Sequence, residues 1–368
     1  YIYNIGNGAY DIDGTNNQTH PGITLSASCN PDLKWETTYQ NNIGVDVQLF
    51  NGALNVSADY FIKKTKDMLT IPPALDVAGE NAAIWLNTGD MKNHGWELSI
   101  GYNSPQYGDF SWSGTLNLSQ YKNELVRLNN KQAFVGGDQR LIPGRPMGGY
   151  YGYVCDGIFQ SQEEVANHAT QAGAAPGRLI YRDLDGNGVI DDNDRCIIGN
   201  PNPDLSLGLN LALKYKAFTL DMFFAGDFGA DIQNHMKRQL LSMSYGQLAT
   251  NRSVDILNAW SPTNTGSDIP ALSLTDDNNE TRFSSYYVEN GSYMKMKYLK
   301  LSYSLPKSLI SKLHATNIDV YGQVENLFTI TGYSGLDPEI LPGEYGALRD
   351  TGSYPRPRTF TLGVNVQF

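Results

Sequence analysis

A strict alternation of apolar and polar residues over 205–215 is the feature that most restricts the fold of this chain. The segment reads Leu-Ser-Leu-Gly-Leu-Asn-Leu-Ala-Leu-Lys-Tyr, so each odd position is apolar and each even position is small or polar. Successive side chains of a β-strand point to opposite faces, and this segment therefore predicts a strand with one apolar face. Its length also suits a tilted strand that crosses a bilayer, which needs roughly 9–11 residues.

The same alternation recurs along the whole chain. Asn51-Gly52 predicts a tight turn between two of these segments, and Lys216 and Ala217 lie between two others. The periodicity predicts about nine antiparallel strands. Their predicted ranges are 43–49, 54–62, 96–102, 110–118, 205–215, 218–224, 299–305, 318–324 and 360–368.

Short and long connections alternate between the predicted strands. The long connections are 63–93, 121–203, 226–290 and 328–357. Compact soluble domains seldom contain so many long loops, whereas outer-membrane barrels join short periplasmic turns to long extracellular loops. The expected fold is therefore all-β, a transmembrane antiparallel up-and-down β-barrel that carries long extracellular loops.

Two helices are expected within the long connections. Ser161-Gln-Glu-Glu164 matches a capping box and predicts a short helix over about 162–172. Residues 233–260 also read as helical. Both helices are interpreted as parts of loops rather than as catalytic elements.

Nine strands do not complete a barrel in this arrangement. Single-chain bacterial barrels have an even strand number with both ends in the periplasm, and unpaired strand edges are not tolerated in lipid. Residues 1–368 are therefore expected to form the carboxyl-terminal part of a larger barrel. The sequence contains no run of 18 apolar residues that would predict a transmembrane helix.

Composition narrows the function further. The net charge of −11 argues against nucleic-acid binding, which favours basic surfaces. The 23 tyrosines suit aromatic girdles at the membrane interfaces, although tyrosine also favours strands in general. Of the three cysteines, Cys155 and Cys196 are the better candidates for a disulfide, with free buried thiols as the alternative, and Cys29 fits no metal or redox spacing.

Catalytic motifs are not found in the sequence. The five histidines are scattered, and nucleotide-binding, zinc-protease and serine-hydrolase patterns are absent. Abundant loop carboxylates do not single out a glycosidase pair. The chain is therefore not expected to be an enzyme, and a surface glycosidase is a weak rival.

One acidic segment, 183–194, matches the spacing of a twelve-residue calcium loop. Gly188 supplies the sharp turn, and Asp194 stands where glutamate is usual. The alternative is an acidic turn that binds no metal. If calcium binds, its role is expected to be structural, fixing a long extracellular loop. The expected ligands are Asp183, Asp185, Asn187, Val189 through its carbonyl, Asp191 through water, and Asp194.

Eight short motifs, in order along the whole chain, carry a resemblance to a known family. Asn30-Pro-Asp-Leu-Lys-Trp-Glu-Thr37 and Tyr354-Pro-Arg-Pro-Arg-Thr-Phe360 are the first and last of them. The others lie at 64–69, 151–159, 181–190, 198–204, 288–293 and 326–330. Together they resemble the SusC-like TonB-dependent transporters of Bacteroidota.

This resemblance implies a barrel of about 22 strands in the bacterial outer membrane, filled by an amino-terminal plug. It also implies a SusD-like surface lipoprotein as a lid, energy supplied through TonB, and an oligosaccharide or peptide as ligand. The plug and the TonB-binding segment have no counterpart in this sequence, and the substrate-binding residues are not identified. Phe368 also resembles a barrel-assembly signal.

A rival from another class is a secreted calcium-dependent glycan-binding module. That module would bury its apolar strand faces against each other and dissolve without detergent.

In the barrel, loop aromatics such as Tyr150, Tyr151, Phe159 and Tyr333 are candidates to contact the lid or to stack on sugar rings. The alternative for each of these aromatics is packing within its own loop.

Overall fold

A computed structural model describes residues 4–11, 19–27, 30–70, 86–128, 133–135, 139–245, 250–310, 315–343 and 346–368. Its strands, in chain order, are β1 (Asn4–Asp11), β2 (Thr19–Ala27), β3 (Thr37–Leu49), β4 (Leu54–Thr70), β5 (Leu86–Asn103), β6 (Phe110–Leu128), β7 (Ala133–Val135), β8 (Gln139–Leu141), β9 (Tyr150–Tyr153), β10 (Cys155–Ile158), β11 (Leu179–Tyr181), β12 (Arg195–Gly199), β13 (Leu205–Tyr215), β14 (Phe218–Phe228), β15 (Asp231–Asn234), β16 (Val288–Asn290), β17 (Tyr293–Ser304), β18 (Asn317–Thr331), β19 (Arg349–Asp350) and β20 (Thr359–Gln367).

The helices are short and belong to the connections. The α-helices are α1 (Gln162–Asn167), α2 (His235–Leu241) and α3 (Lys307–Ile310), and 3-10 helices cover Asp192–Asp194, Val254–Asn258 and Ser285–Tyr287. Over the described part of the chain, none of the helices combines the length and the apolar character needed to cross a membrane.

The nine predicted strands all lie in one sheet. Its order is β20-β18-β17-β14-β13-β6-β5-β4-β3, which follows the chain with the small strands of the loops left out. Each predicted segment corresponds to one strand of this sheet, so the predicted all-β fold is confirmed. This meander forms because neighbouring strands are joined by turns or by loops that return to the same edge.

Several strands are longer than predicted. β4 extends to Thr70, β6 to Leu128 and β18 to Thr331. The predicted bounds stop where the apolar alternation stops, but the backbone N–H and C=O groups go on pairing beyond it. Periodicity detects a regular alternation and therefore misses the parts of a strand where it is broken, as at the adjacent apolar residues Leu327 and Phe328 of β18.

Two of the turns adopt the left-handed backbone that tight hairpins need. Asn51 and Gly52 have φ of 55° and 85°, and Lys216 has φ of 52°. Asn and Gly accept this conformation more readily than most residues, which explains the Asn-Gly pair. Phe50, with φ of 54° in the first turn, and Lys216 are exceptions. The backbone N–H of Lys216 donates to the carbonyl of Asp109 at 3.0 Å.

The chain folds as two compact units. The first contains residues 1–41, 62–94 and 123–147, and the second contains 42–61, 95–122 and 148–368. In the first unit, the Asn87 side chain accepts a hydrogen bond from the N–H of Lys34 and donates one to its carbonyl, both at 2.8 Å. Asp90 forms an ion pair with Arg127 at 2.9 Å.

The second unit contains small sheets built by the long connections. β9 pairs with β12 and β10 with β11, both antiparallel, and β15 lies between antiparallel β16 and parallel β19. Their hydrophobic cores are aromatic: one contains Tyr150, Phe283 and Tyr287, and another contains Tyr153 and Tyr181. The long connections are therefore folded structures with their own cores.

Both helix predictions need correction. The first helix begins as predicted, because the Ser161 hydroxyl accepts a hydrogen bond from the N–H of Glu164, but it ends at Asn167 rather than 172. It ends there because Thr170 is paired with Val189 in a short bridge. The second prediction, 233–260, is wrong over most of the part that the structure describes. Asp231–Asn234 is a strand, and of the described residues in this segment only His235–Leu241 is α-helical.

Candidate functional site

The hairpin of β13 and β14 sorts its side chains onto two faces. Leu205 is opposite Phe228, Leu209 is opposite Phe224, and Leu213 is opposite Leu220. The residues between these positions pair in the same way, with Asn210 opposite Phe223. Because directly opposed residues share a face, the apolar positions of both strands form one continuous surface.

The register of the neighbouring strands extends this apolar face. β6 pairs with β13, and β17 pairs with β14, so that leucines and aromatics meet across four strands. The additional members of the apolar face are Trp112, Leu116, Leu118, Leu299, Leu301 and Tyr303. A surface of this kind matches the lipid-facing wall of a barrel.

The opposite face of the sheet is polar and internally hydrogen-bonded. Asp227 accepts hydrogen bonds from Ser206 Oγ at 2.6 Å and from the Tyr293 hydroxyl at 2.8 Å. Asp319 accepts one from Ser304 Oγ at 2.6 Å. This face contains the hydrogen-bonding groups that line a water-filled lumen.

A bulge in β17 concentrates cations at one end of this polar face. In the pairing of β14 with β17, the adjacent residues Phe223 and Phe224 lie opposite Tyr298 and Met296, so Lys297 is the extra residue of β17. Lys295 and Lys297 then both reach Glu339, with Nζ to carboxylate oxygen distances of 3.0 and 2.5 Å. Bulges commonly redirect side chains in this way.

This cluster of charges holds the loop between β18 and β20. Lys295 is only 2% exposed and also lies 2.5 Å from Asp337 Oδ1. Burial alone would raise the pKa of the Asp337 carboxyl, but hydrogen bonds from Lys295 and from the Glu339 backbone outweigh it and lower this pKa. The pKa of Glu339 is lowered in the same way, where bonds from Lys297 and Lys295 outweigh desolvation.

The acidic loop 183–194 is organised around two carboxylates. The carboxylate of Asp183 accepts from the N–H groups of Gly186 and Gly188 at 2.7 and 2.8 Å. That of Asp194, which is fully buried, accepts from Leu184 and Asp191, both at 2.7 Å. The bond from the Gly188 N–H is the main reason that the pKa of Asp183 is lowered.

The structure groups three of the four carboxylates among the predicted calcium ligands. Asp183, Asp185 and Asp194 place carboxylate oxygens within 4.8 Å of one another. The Asn187 side chain accepts from the Val189 N–H at 2.7 Å, and the Asp191 side chain accepts from the Asn193 N–H at 2.7 Å. The three-carboxylate group fits a hard cation, which prefers oxygen ligands.

The predicted contact aromatics lie in the interior. Tyr150 is fully buried, Phe159 is 1% exposed, and Tyr151 and Tyr333 are also buried. The alternative stated for them, packing within their own loops, is not the arrangement found for Tyr150, whose partners Phe283 and Leu348 belong to other long connections. The Tyr150 hydroxyl donates to the Leu348 carbonyl at 2.8 Å and accepts from the Leu348 N–H at 3.0 Å, and the two residues are 198 positions apart.

The structure also shows whether the two candidate cysteines form a disulfide. Cys155 and Cys196, both described, are not joined by a disulfide. Burial raises the pKa of the Cys155 thiol to about 11, so this thiol stays protonated and unreactive at neutral pH. Cys29 lies outside the described residues.

Sequence reasoning missed the buried polar network that joins two long connections. Gln171 Nε2 donates to Asn278 Oδ1 at 2.7 Å, and Arg178 pairs with Glu280 at 3.1 Å. It also missed the partners of Lys295. These pairs are separated by about a hundred and about forty residues, so no local pattern signals them.

Comparison with known proteins identifies the fold family. A family model described as TonB dependent receptor-like, beta-barrel, matches residues 2–327. TonB-dependent receptor P3 of Formosa agariphila is 37% identical over 365 residues, which cover 94% of this chain and 36% of that protein. TonB-dependent receptor SusC of Bacteroides thetaiotaomicron is 28% identical, covering 95% of this chain and 34% of SusC.

Solved structures agree with this family. The structure titled as the RagAB peptide transporter superposes with a TM-score of 0.81 at 25% identity, over 100% of this chain and 38% of that chain. The chain spans about a third of the length of the curated relatives that it matches. Their names are those of receptors rather than enzymes, which agrees with the predicted absence of catalysis, and the predicted outer-membrane location is confirmed. The chain belongs to the TonB-dependent receptor-like β-barrel family.

Proposed function

We propose that this chain is the carboxyl-terminal barrel portion of a SusC-like nutrient importer. In this proposal the importer takes up an oligosaccharide or a peptide through the outer membrane, energised through TonB by an amino-terminal part. The observation that carries the proposal is the nine-stranded sheet with an apolar face and a hydrogen-bonded polar face. The likeness to SusC and to the RagAB peptide transporter supports it.

Uptake by cells tests the proposal. The gene of the full-length transporter is deleted, and growth is measured on oligosaccharides or on peptides as sole carbon source, with and without an uncoupler of the proton gradient. Growth on one nutrient class should be lost and then restored by the wild-type gene. Unchanged growth, together with recovery of the chain from the soluble secreted fraction, would support the secreted glycan-binding module instead.

The long connections are proposed to hold a SusD-like lipoprotein that acts as a lid. A stable complex needs about 800 Å² per partner, which the short turns do not offer. The 3-10 helix Val254–Asn258 presents apolar side chains to solvent, since Val254 is 74% and Leu257 83% exposed. Exposed apolar residues that lie close together are typical of interaction surfaces.

Co-purification tests this lid contact. The double variant Val254→Gln, Leu257→Gln should reduce the amount of lipoprotein recovered with the transporter, because it removes apolar contact area without touching a strand. Leu309→Gln, at a half-exposed position beside a short turn, is the matched control. If only the control variant loses the lipoprotein, the short turns rather than the long connections face the cell exterior.

A calcium ion in the loop 183–194 is a second proposal. The support is the grouping of Asp183, Asp185 and Asp194, together with the glycine-rich turn between them. When bound, the ion would neutralise three carboxylates that otherwise repel one another. The proposed role is structural, because the loop is bridged to Thr170 and so fixes the adjacent connection.

Calorimetry and limited proteolysis test the calcium proposal. The double variant Asp183→Ala, Asp185→Ala should abolish calcium binding and increase cleavage between about 160 and 200. Asp192→Asn is the matched control, since this carboxylate is in the same loop but outside the three-carboxylate group. Equal protection of the wild type with calcium and with a chelator would leave an acidic turn without metal.

A further inference from the structure

A cavity of about 670 Å³ lies within the long connections of the second unit. Its walls come from α2, from the 3-10 helix Val254–Asn258 and from the loop between β18 and β20. The volume falls within the range of about 300–1,000 Å³ that is typical of ligand pockets.

Six apolar residues contribute to the lining of the cavity. Met236, Leu240 and Leu241 come from α2, while Ile269, Tyr286 and Leu336 come from other segments. Leu336 is 76% exposed. These side chains stabilise an apolar group that is removed from water.

The polar groups of the inner wall are already committed to one another. Lys237 Nζ lies 3.0 Å from the Tyr286 carbonyl, 3.5 Å from Glu289 and over the Tyr286 ring. Glu289 also accepts from the Ser334 hydroxyl at 3.0 Å, and Asp350 accepts from the Tyr333 hydroxyl at 2.7 Å. Because these groups bond with one another, they shape the cavity and are not its main ligand-binding groups.

Two exposed carboxylates also line the cavity, those of Asp255 and Asp268. Asp255 accepts a hydrogen bond from Ser253 Oγ at 2.6 Å. Within the described residues, neither carboxylate is in an ion pair with a lysine or an arginine. These two carboxylates therefore favour a ligand that carries a positive charge.

We propose that this cavity binds an aliphatic side chain of a peptide whose neighbouring group is a cation. The apolar lining residues favour an aliphatic group, because removing it from water there is favourable, and the exposed carboxylates favour a cation beside it. The inference rests on the proposed import function and names peptides as its substrate class. The cation, from a lysine, an arginine or the amino terminus, pairs with Asp255 and Asp268.

Calorimetry on the full-length transporter with its lipoprotein tests the proposal. The probes are five-residue peptides of leucine alternating with lysine, glutamate or glutamine, and maltoheptaose. The lysine peptide should bind at least about tenfold more tightly than the glutamate peptide. Leu336→Gln should weaken binding of the lysine peptide by about three- to tenfold, because part of a leucine contact is lost.

A charge variant gives the second arm of the test. Asp255→Asn with Asp268→Asn should weaken the lysine peptide by about three- to tenfold and leave the glutamine peptide unchanged. Leu341→Gln and Asp277→Asn are matched controls, because both positions are exposed but lie outside the cavity. The controls should bind like the wild type.

Other outcomes would overturn the inference. Equal affinity for the three peptides, or binding of maltoheptaose that Leu336→Gln weakens, would exclude a cationic peptide site. If Leu336→Gln reduces only the recovery of the lipoprotein, the cavity is a docking site for the lid. Uptake of an oligosaccharide without any peptide binding would disprove the peptide site and would still support the proposed import function.

Discussion

At the scale of single residues, Lys295 has the most demanding environment. Its ammonium group is almost fully buried, and two carboxylates, Asp337 and Glu339, neutralise it. A buried charge is tolerated only while its partners remain, and removing one partner typically costs about 3–5 kcal/mol. The ion pairs are therefore expected to fasten the loop between β18 and β20 to the sheet.

Lys295→Ala should loosen this loop. The variant leaves Asp337 without its closest cation, although Lys297 still reaches Glu339. We expect a loss of about 3 kcal/mol in the free energy of opening the loop, measured by hydrogen exchange over 332–358. Lys214→Ala is the control, because Lys214 is exposed on the same face of the sheet. Equal hydrogen exchange in Lys295→Ala and Lys214→Ala would contradict the role of Lys295 in fastening the loop to the sheet.

The same ion pairs predict a pH dependence. The pKa values of Asp337 and Glu339 are lowered in the folded protein. A lowered folded pKa contributes stability above the unfolded carboxyl pKa of about 4, and that stability disappears as the pH falls through the folded value. Protection of 332–358 from proteolysis should therefore be equal at pH 7 and pH 5 and fall below about pH 4. Loss of protection between pH 7 and pH 5 would assign the effect to other groups.

At the scale of the element, the strand β13 shows how local sequence determines a two-faced sheet. Most of its odd residues pair with apolar residues of β6 and β14. Its even residues pair with polar or small ones, except that Asn210 lies opposite Phe223. A shift of register by one residue would move every leucine to the polar face. The register is therefore specified by burial in lipid on one side and by hydrogen bonding on the other.

Arginine substitutions at two adjacent positions test this assignment. Leu209→Arg should cost about 2–4 kcal/mol in folding into a bilayer, because the guanidinium faces lipid near the midplane. Asn210→Arg should be nearly neutral, because its side chain points to the polar face. Folding into lipid vesicles, followed by urea unfolding, measures both. Similar costs at the two positions would show that the predicted lipid face is wrong.

At the scale of the whole molecule, the long connections of the second unit are held together by contacts that are remote in sequence. The Tyr150 hydroxyl bonds both backbone groups of Leu348, and the N–H of Cys155 donates to the Ser285 hydroxyl at 2.9 Å. Such contacts join the connection after β6 to those after β14 and β18. A single loop is therefore not expected to fold alone.

Tyr150→Phe should destabilise these connections without affecting the sheet. The variant leaves the half-buried Leu348 N–H without its partner, whereas the Leu348 carbonyl keeps the bond from the Gln233 N–H at 2.9 Å. An unsatisfied buried donor costs about 1–3 kcal/mol. Proteolysis of the loops should become faster, while the resistance of the barrel strands to heat in detergent stays the same. Tyr354→Phe, at an exposed position, is the control. Simultaneous loss of sheet and loops would show that they unfold as one unit.

The sequence by itself determined the nine strands, their order and the two faces of β13, because alternation and turn residues are local signals. The sequence also identified the loop 183–194 as a candidate calcium site, because its glycines and carboxylates lie close together in the chain. The tertiary structure alone decided that Tyr150 and Phe159 are core residues, that Cys155 and Cys196 are not joined by a disulfide, and that Lys295 meets Asp337. Only the tertiary structure brings Leu240 and Leu336 together in the lining of one cavity. Burial in these loops depends on partners tens to hundreds of residues away, and periodicity contains no information about such contacts.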